Sequence, residues 1–509
     1  MFVERISASL IGSRIDASFY DPIYLEAENS IKKHNHAQLS KVTNFIKKGV
    51  FDMPSHLYGD AGIPFLRISD FDGLTVDIEN AIKIPLWKHE EEYKTKLIGG
   101  DIVISKVGTT GEIAKVPAGC EVNVSQNLIA VSINHEKIDG DYLVAILKSK
   151  QLNKAIERHV TTIVQGKLTL DIIRELEIPL FVPLTQKYIG NKVRQAEQLR
   201  AWAKRLEVKL AFFENQIPTS KPVIGEAKHS KATLEFLTEN RLDARYYAKK
   251  HLDLYAQFNN EFESFGSICS GFKYGASIAA NYVNSEGLPF IRGNALSPNR
   301  INQDDIVYLS KSLKDELKTA YVEEGDILIT RSGTVGVTTY VAAEHAKYWY
   351  GSFIIKCKLA TKSYLPAYVS WYLNSWVGQQ QFRRLENGAV QLNINTEELS
   401  SIAIWKAPQE FQTEIDKLLI EQISAVNLSK SLTSAAKTLV ESLIEGQLTE
   451  QQLIQAQQAL DDCDNSLDQA ILSKLSSEGY AVDGATPLFS DIDELYRLLE
   501  SAAQAEAEE

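Results

Sequence analysis

The sequence predicts an α+β fold: two tandem, internally repeated domains joined by two long antiparallel coiled-coil helices, followed by a small acidic helical tail. Three observations lead to this prediction. Segments recur at an offset of about 225 residues, a long helix with a narrow apolar stripe follows each copy, and acidic residues concentrate in the last part of the sequence. At roughly 150 residues per domain, 509 residues provide three or four folding units.

The repeat is clearest in two pairs of segments. GIPFLR from Gly62 returns as GLPFIR from Gly287, and GDIVISKVGTTG from Gly100 returns as GDILITRSGTVG from Gly325. Seven positions of the longer pair are identical, whereas unrelated windows would share about one. Solenoid repeats run only about 20–50 residues. A period this long therefore indicates a duplicated domain.

Each copy has the pattern of a domain in which strands come first and helices follow. Short runs rich in Val, Ile and Phe predict strands. They are IPFLRI, DIVISKV and NLIAVSI in the first copy, and LPFIRG, DILITRS and SFIIKCKL in the second. Helical patterns follow at YLVAILKSKQLNKAIERHV and YLPAYVSWYLNSWVGQQQFRRL, and the apolar stretches LEIPLFVP and SIAIWKAP close the two copies.

A long helix follows the closing proline of each copy. Apolar residues recur along both at alternating steps of three and four, which favours pairing with another helix. A single stripe would also fit a helix packed on its own domain, but two in a duplicated chain favour antiparallel pairing, as a spacer of roughly 45 Å. The predicted partner-binding residues on these stripes are Leu199, Leu206, Leu432 and Leu439.

The charge distribution marks the end of the sequence as a module of its own. The net charge is −12, and residues 446–509 carry 14 acidic and two basic residues, so the remainder is neutral overall. The negative net charge of the whole chain therefore does not exclude nucleic-acid binding by residues 1–445. The predicted divisions are 1–183 (first domain), 184–217 (first linking helix), 218–408 (second domain), 409–445 (second linking helix) and 446–509 (acidic helical tail).

Composition predicts a soluble, cytoplasmic protein. Hydrophobic residues make up 44% and charged residues 24% of the chain, and no apolar run approaches the roughly 20 residues that span a bilayer. The start lacks a signal-peptide core. The four cysteines are far apart and form no C-x-x-C pair, so we expect neither a disulfide framework nor a structural zinc site, in keeping with a reducing compartment.

Known catalytic signatures are missing from the sequence. It contains no P-loop, H-E-x-x-H, G-x-S-x-G or helix-opening G-x-G-x-x-G motif, and its nine histidines are scattered. Asp21-Pro22-Ile23-Tyr24 is weakly similar to a methyltransferase Asp-Pro-Pro-Tyr element, but a simple turn explains it better. We therefore predict a binding component with no catalytic residues, no metal and no cofactor of its own.

The repeated glycine segment supplies the groups that DNA recognition needs. Gly108 to Gly111 and Gly333 to Gly336 allow a tight loop after a buried strand. A cation precedes each loop, and small hydroxyl residues beside it would let it approach a phosphate or a guanine edge. The alternative is a surface hairpin with a solvated cation. The candidates are Lys106, Thr109, Thr110, Arg331, Ser332 and Thr334.

A second polar cluster follows in each copy. Its members are Gln165 and Lys167 in the first copy, and Gln391, Asn393 and Asn395 in the second. Gln and Asn can pair with adenine through two hydrogen bonds, but they also cap strands and turns. Weaker candidates are Lys47, Lys48 and Lys273, while Arg67 and Arg292 are candidates for structural ion pairs.

Two further features accompany the repeated segments: the run GAVQLNI from Gly388, and the stretches IPLFVPLTQ and IAIWKAPQEFQ before the long helices. Together these features resemble the specificity (S) subunits of Type I restriction-modification systems. The likeness covers about residues 5–448. It implies two target-recognition domains, each reading half of a split double-stranded DNA sequence. It also implies partners: two modification subunits that carry S-adenosylmethionine chemistry on adenine, and restriction (translocase) subunits that join for cleavage.

Some features depart from that family pattern. The entries FVP and KAP to the long helices differ from the usual double proline followed by Glu-Gln, and the acidic tail lies outside the pattern. We expect the tail to dock on a methyltransferase or translocase partner, and the target to be bipartite and asymmetric. The alternatives are a DNA-recognition component of another phage-defence complex, and a coiled-coil scaffold with no DNA role.

Overall fold

The chain divides by its internal contacts into two units. Unit 1 comprises residues 1–201 and 425–509, and unit 2 comprises residues 202–424. The computed structural model describes residues 17–106, 111–159, 168–221, 230–238, 241, 243–279, 281–284, 286–388 and 391–508. Among the helices of these residues, none is long and apolar enough to cross a membrane.

The residues described between 17 and 213 form six α-helices and twelve strands. The helices are α1 (Pro22–Lys32), α2 (Leu86–Glu91), α3 (Gly140–Leu147), α4 (Lys150–His159), α5 (Leu170–Glu175) and α6 (Pro183–Phe213). The strands are β1 (His36–Gln38), β2 (Thr43–Lys48), β3 (Ile63–Leu66), β4 (Phe71–Asp72), β5 (Thr75–Val76), β6 (Lys83–Ile84), β7 (Leu97–Ile98), β8 (Ile102–Ser105), β9 (Ile113–Lys115), β10 (Glu121–Val124), β11 (Leu128–Ile133) and β12 (Glu177–Pro179).

The second copy repeats this order. Its helices are α7 (Lys249–Tyr255), α8 (Phe265–Ile268), α9 (Lys314–Leu317), α10 (Pro366–Asn374), α11 (Trp376–Leu385) and α12 (Thr396–Ser400). Its strands are β13 (Phe262–Ser264), β14 (Cys269–Tyr274), β15 (Tyr282–Val283), β16 (Leu288–Ile291), β17 (Leu296–Ser297), β18 (Arg300–Ile301), β19 (Val307–Leu309), β20 (Ile327–Thr330), β21 (Thr338–Tyr340), β22 (Trp349–Tyr350), β23 (Ile354–Leu359) and β24 (Ala403–Trp405).

The last part contains α13 (Gln409–Ile444), α14 (Glu450–Asp461), α15 (Ser466–Leu472), β25 (Leu475–Ser476), β26 (Gly479–Tyr480) and α16 (Ile492–Ala507). The two long helices, α6 and α13, lie where the apolar stripes predict them. The tail contains the helices α14, α15 and α16, in agreement with the predicted helical tail.

The same sheet recurs in both units. In unit 1 the strand order is β2-β11-β8-β9-β5-β4, and in unit 2 it is β14-β23-β20-β21. A second sheet in each unit contains the GIPFLR or GLPFIR strand, in the orders β6-β3-β10-β7 and β15-β19-β16-β22. All six predicted strands are confirmed, and the repeat is therefore a repeat of fold.

The helical segment after the strands differs from its prediction in both copies, because each forms two helices rather than one. In unit 2 the Ser375 side chain accepts a hydrogen bond from the Gly378 amide and starts α11 one residue after α10 ends. In unit 1, Ser149 lies between α3 and α4, and its hydroxyl donates to the Ile146 carbonyl. Serine competes with the helix backbone for hydrogen bonds in this way.

The long helices pack against each other within each unit. In unit 2, Trp202 Nε1 donates to Glu421 Oε1 at 3.1 Å, and Lys209 Nζ lies 3.6 Å from Glu414 Oε1, so α6 and α13 run antiparallel. In unit 1, an Arg200 guanidinium nitrogen donates to the Thr433 hydroxyl at 3.0 Å.

The acidic tail is part of unit 1, which corrects the prediction of a separate module. Asp468 on α15 is buried and receives hydrogen bonds from the Tyr188 hydroxyl at 2.5 Å, from Lys192 Nζ at 2.7 Å, and from the Tyr496 hydroxyl. Burial alone would raise the pKa of Asp468, but Lys192 and the two hydroxyls hold it below its ordinary value. Sequence separations of about 280 residues conceal this cluster from sequence inspection.

One disulfide also departs from expectation. Cys269 and Cys357 lie on the paired strands β14 and β23, and their sulfur atoms are bonded at 2.21 Å across a separation of 88 residues. Cysteine spacing could not reveal this pair because strand pairing brings the two residues together. The argument from cysteine spacing to a reducing compartment therefore loses its basis.

Candidate nucleic-acid interface

The glycine segment of unit 1 joins two antiparallel strands, as predicted. Strands β8 and β9 pair through Val103 and Ala114, and the Gly111 amide donates to the Ser105 carbonyl at 2.9 Å. Gly111 has φ +89°, and a Cβ there would lie 3.2 Å from Ile156. Glycine is therefore required by both the backbone and the packing. Thr109, Thr110, Gln165 and Lys167 lie outside the described residues.

Unit 2 repeats the described part of this hairpin. Strands β20 and β21 pair, and the Gly336 amide donates to the Thr330 carbonyl at 2.9 Å. Gly336 has φ +90°, and a Cβ there would lie 2.6 Å from the Phe382 ring. Because the frame is the same, its cations Lys106 and Arg331 occupy equivalent places.

Each cation is held by the main chain between two other segments. The Lys106 amide donates to the Asn127 carbonyl at 2.8 Å, and the Lys106 carbonyl accepts from Leu168 at 3.3 Å. In unit 2, the Arg331 amide donates to the Phe353 carbonyl at 2.9 Å, and its carbonyl accepts from Ile394 at 3.0 Å.

In unit 2 these bonds bring the two predicted polar clusters together. The Gly333 amide donates to the Leu392 carbonyl at 3.1 Å, and Ser332 and Asn393 form an isolated antiparallel β-bridge. Thr334 and Gln391 are exposed, while Arg331, Ser332 and Asn393 are half-buried. The result is one continuous polar surface built from segments about 60 residues apart in the chain.

Two amides of this surface have structural roles. Asn395 accepts from the Glu398 amide at 2.8 Å and caps α12, so its side-chain oxygen is already occupied. This contact favours the capping alternative for Asn395. Asn393 Nδ2 donates to the Gln391 carbonyl at 3.0 Å, which shapes the turn. Gln391 has the more exposed side chain of the cluster.

Aromatic residues beside the cations were missed by the sequence reasoning. The Arg331 guanidinium lies 4.7 Å from the centroid of the Tyr274 ring, and Arg292 lies 5.8 Å from that of Tyr282. These tyrosines are 44% and 52% exposed, and Phe353 is 56% exposed. Cations interleaved with exposed aromatic rings suit contact with phosphates and bases. Strand pairing places Tyr274 where unit 1 has Lys48, one residue beyond the 225-residue offset, so the repeat of the sequence points to this strand but not to the tyrosine itself.

Unit 1 has a cleft of about 350 Å³ next to Lys106. Its polar lining includes Asp52, Tyr58, Arg67, Gln126 and Asn127. Arg67 pairs with Asp70 at 3.4 Å, as the structural alternative anticipates, and its buried Nε has no hydrogen-bond partner among the described residues.

A buried ion pair fixes the hairpin of unit 1 to the long helix. Lys115 on β9 donates to Glu197 on α6 at 2.7 Å and to Asp141. Burial lowers the pKa of Lys115, but the two carboxylates outweigh it, so the pKa lies above its ordinary value. The hairpin and the helix are thereby positioned as one body.

The leucines predicted as partner contacts are buried inside the chain. Leu199 and Leu432 are 0% exposed in unit 1, as is Leu439, and Leu206 in unit 2 is 2% exposed. Burial of these side chains within the chain agrees with mutual pairing of the two long helices, and a contact of these four leucines with another subunit stays a prediction.

Within the described ranges, no group of three His, Cys, Asp or Glu side chains is arranged to hold a metal ion.

The sequence matches the family described as Type I restriction modification DNA specificity domain over residues 35–207 and 260–434. The chain therefore belongs to this family and contains two copies of its domain, which confirms the resemblance inferred from the repeated segments.

Individual proteins are also similar to this chain. The chain is 24% identical over 403 residues to a protein named as type I restriction enzyme MjaX specificity subunit in Methanocaldococcus jannaschii, covering 76% of this chain and 87% of the relative. It is also similar to the S subunit of a type I restriction-modification system from M. genitalium (TM-score 0.42, 13% identity, 82% of this chain and 96% of that chain). A third similar protein is the HsdS subunit from Thermoanaerobacter tengcongensis (TM-score 0.27, 14% identity, 81% and 97%).

Proposed function

We propose that this chain is a non-catalytic subunit that reads a bipartite DNA target and directs an adenine-N6 methyltransferase to it. The observation that supports this most strongly is the hairpin frame that recurs in both units with different side chains around its cation. Lys106 is followed in sequence by Val107, whereas Arg331 is followed by Ser332 and lies 4.7 Å from the centroid of the Tyr274 ring. Two similar frames with different chemistry suit two different half-sites.

The partners follow from this role. Two modification subunits would supply S-adenosylmethionine and the methyl-transfer residues, and restriction subunits would join for cleavage. The location would be the cytoplasm, where such a complex meets DNA. The exposed side of the acidic tail is proposed to contact one of these subunits, with Asp462 and Asp483 among its exposed carboxylates.

Reversing each cation separately tests the two-half-site proposal. We expect Lys106→Glu to weaken recognition of one half-site and Arg331→Glu to weaken the other, each by roughly 5- to 150-fold, because each loses a favourable contact to DNA. The measurement is the map of methylated adenines in DNA treated with the chain and its cognate modification subunit.

The same experiment separates the alternatives. A scaffold without a DNA role would give the same methylation map with and without either substitution. One uninterrupted recognition sequence, affected equally by both variants, would contradict a bipartite target.

A further inference from the structure

A short turn beside each cation is fixed in the same way in both units. In unit 1 it comprises residues 125–127, between β10 and β11, and in unit 2 residues 351–353, between β22 and β23. The Ser125 amide donates to the Leu66 carbonyl at 2.9 Å, and the Gly351 amide donates to the Ile291 carbonyl at 3.0 Å. We call these segments the cation-side turns. Their backbone frame is common to the two units.

The far end of each cation-side turn is fixed by the cation itself. Asn127 and Phe353 provide the carbonyls that accept from the Lys106 and Arg331 amides. Any nucleic acid that contacts the cation must therefore pass within reach of the turn. Backbone hydrogen bonds hold the turn in this position in both units, although its side chains differ between them.

The turn of unit 1 carries two adjacent side-chain amides. Gln126 is half-buried and Asn127 is exposed, and both line the cleft that also holds Arg67. Among the described residues, no side-chain hydrogen bond uses either amide. Amides of this kind can donate to N7 and accept from the amino group of an adenine in the major groove.

The equivalent turn of unit 2 is chemically different. Ser352 and Phe353 replace the two amides, and the Phe353 ring is 56% exposed. The neighbouring Arg331 is stacked on Tyr274. An exposed apolar ring next to a cation suits contact with the methyl group of thymine beside a phosphate.

We propose that the cation-side turns are the base-reading elements of the two domains, with Gln126 and Asn127 recognising adenine in one half-site and Phe353 recognising thymine in the other. This inference rests on the proposed function, since it requires that the chain reads DNA. A constant backbone frame with exchanged side chains is the arrangement expected of a specificity determinant. The amides of Asn393 and Asn395 are less suited because they already serve the protein's own backbone.

The test is selection from a library of duplex DNA of random sequence, using the full chain in complex with its modification subunit. For Gln126→Ala with Asn127→Ala, base preference should fall by roughly 5- to 150-fold at positions of one half-site only. Phe353→Ala should do the same at the other half-site. Gln126→Glu should shift the preferred base towards cytosine, whose amino group a carboxylate accepts from. A purely structural role would give no such shift.

Asn260→Ala is the matched control, because it removes an exposed amide in the turn before β13, far along the chain from both cation-side turns and outside the tail. The urea midpoint of each variant checks that its fold is intact. If the unaltered complex selects no sequence, the proposed function fails. If it selects a bipartite sequence that the turn variants leave unchanged, the function stands and the inference about the turns is overturned.

Discussion

His251 on α7 is buried in unit 2 with 1% of its surface exposed, and its Nδ1 lacks a hydrogen-bond partner among the described residues. Burial, together with Lys250 and nearby arginines such as Arg384, lowers the pKa of His251 to about 4. The unfolded chain, with a pKa near 6.5, therefore binds a proton that the folded chain does not between these two values.

The consequence is a loss of stability as the pH falls. The contribution of His251 is intact above pH 6.5 and declines by about 3 kcal/mol as the pH approaches 4. We expect His251→Gln to flatten this dependence, measured as the free energy of unfolding in urea at pH 7.5 and pH 5. An unchanged pH profile in the variant would contradict the assignment.

At the residue scale, the sequence indicated the cations but not the amides of Gln126 and Asn127 beside one of them. Lys106 and Arg331 were evident because the repeat aligns them after the same strand. Asn395 has the same functional group as Gln126, yet it caps a helix. Residue type alone cannot distinguish these roles, because the difference lies in which backbone amide is within reach.

One of the contacts between the tail and α6 is a buried ion pair. Lys192 and Asp468 are 0% and 1% exposed and lie 2.7 Å apart. Asp468→Asn would leave Lys192 buried without a counter-charge, which should destabilise unit 1 by about 3–5 kcal/mol. Urea unfolding measures the change.

Asp461→Asn provides a matched control on the same two segments. Its partner Lys187 is 2.8 Å away, but both side chains are 46% exposed. Water screens such a pair, so Asp461→Asn should cost far less stability than Asp468→Asn. Equal costs for the two variants would show that the Asp468 cluster does not anchor the tail.

At the element scale, periodicity predicted the strands and both long helices. It could not predict the breaks at Ser149 and Ser375, because apolar spacing continues through them while a serine hydroxyl redirects the backbone. The charge distribution also predicted a separate tail, because charged residues mark the side of a segment that faces solvent and not the side that packs. The buried side of the tail, with Leu453, Leu472 and Leu498, determines where it packs.

At the scale of the whole molecule, the tail should support one unit and not the other. Deleting residues 447–509 removes Asp468 and uncovers apolar side chains in unit 1, whereas unit 2 contains no residue beyond 424. We expect faster amide hydrogen exchange in residues 17–201 and unchanged exchange in residues 243–388. Equal effects on both ranges would be inconsistent with this division.

That deletion would not cleanly test whether the tail docks on a partner, because it also disturbs the fold. Asp462→Lys combined with Asp483→Lys changes only exposed charges. If the tail contacts a modification or restriction subunit, this variant should bind that subunit several-fold more weakly at low salt, as analytical ultracentrifugation can measure. Unaltered assembly would leave the tail with a structural role alone.

The contrast between a continuous unit 2 and a unit 1 built from two stretches has a consequence for how new specificities arise. Residues 202–424 form an uninterrupted cassette, so recombination at two points within α6 and α13 could exchange it whole. A replacement for the first domain would have to fit an existing tail and retain the Tyr188 and Lys192 side chains. The second domain is therefore the easier one to diversify.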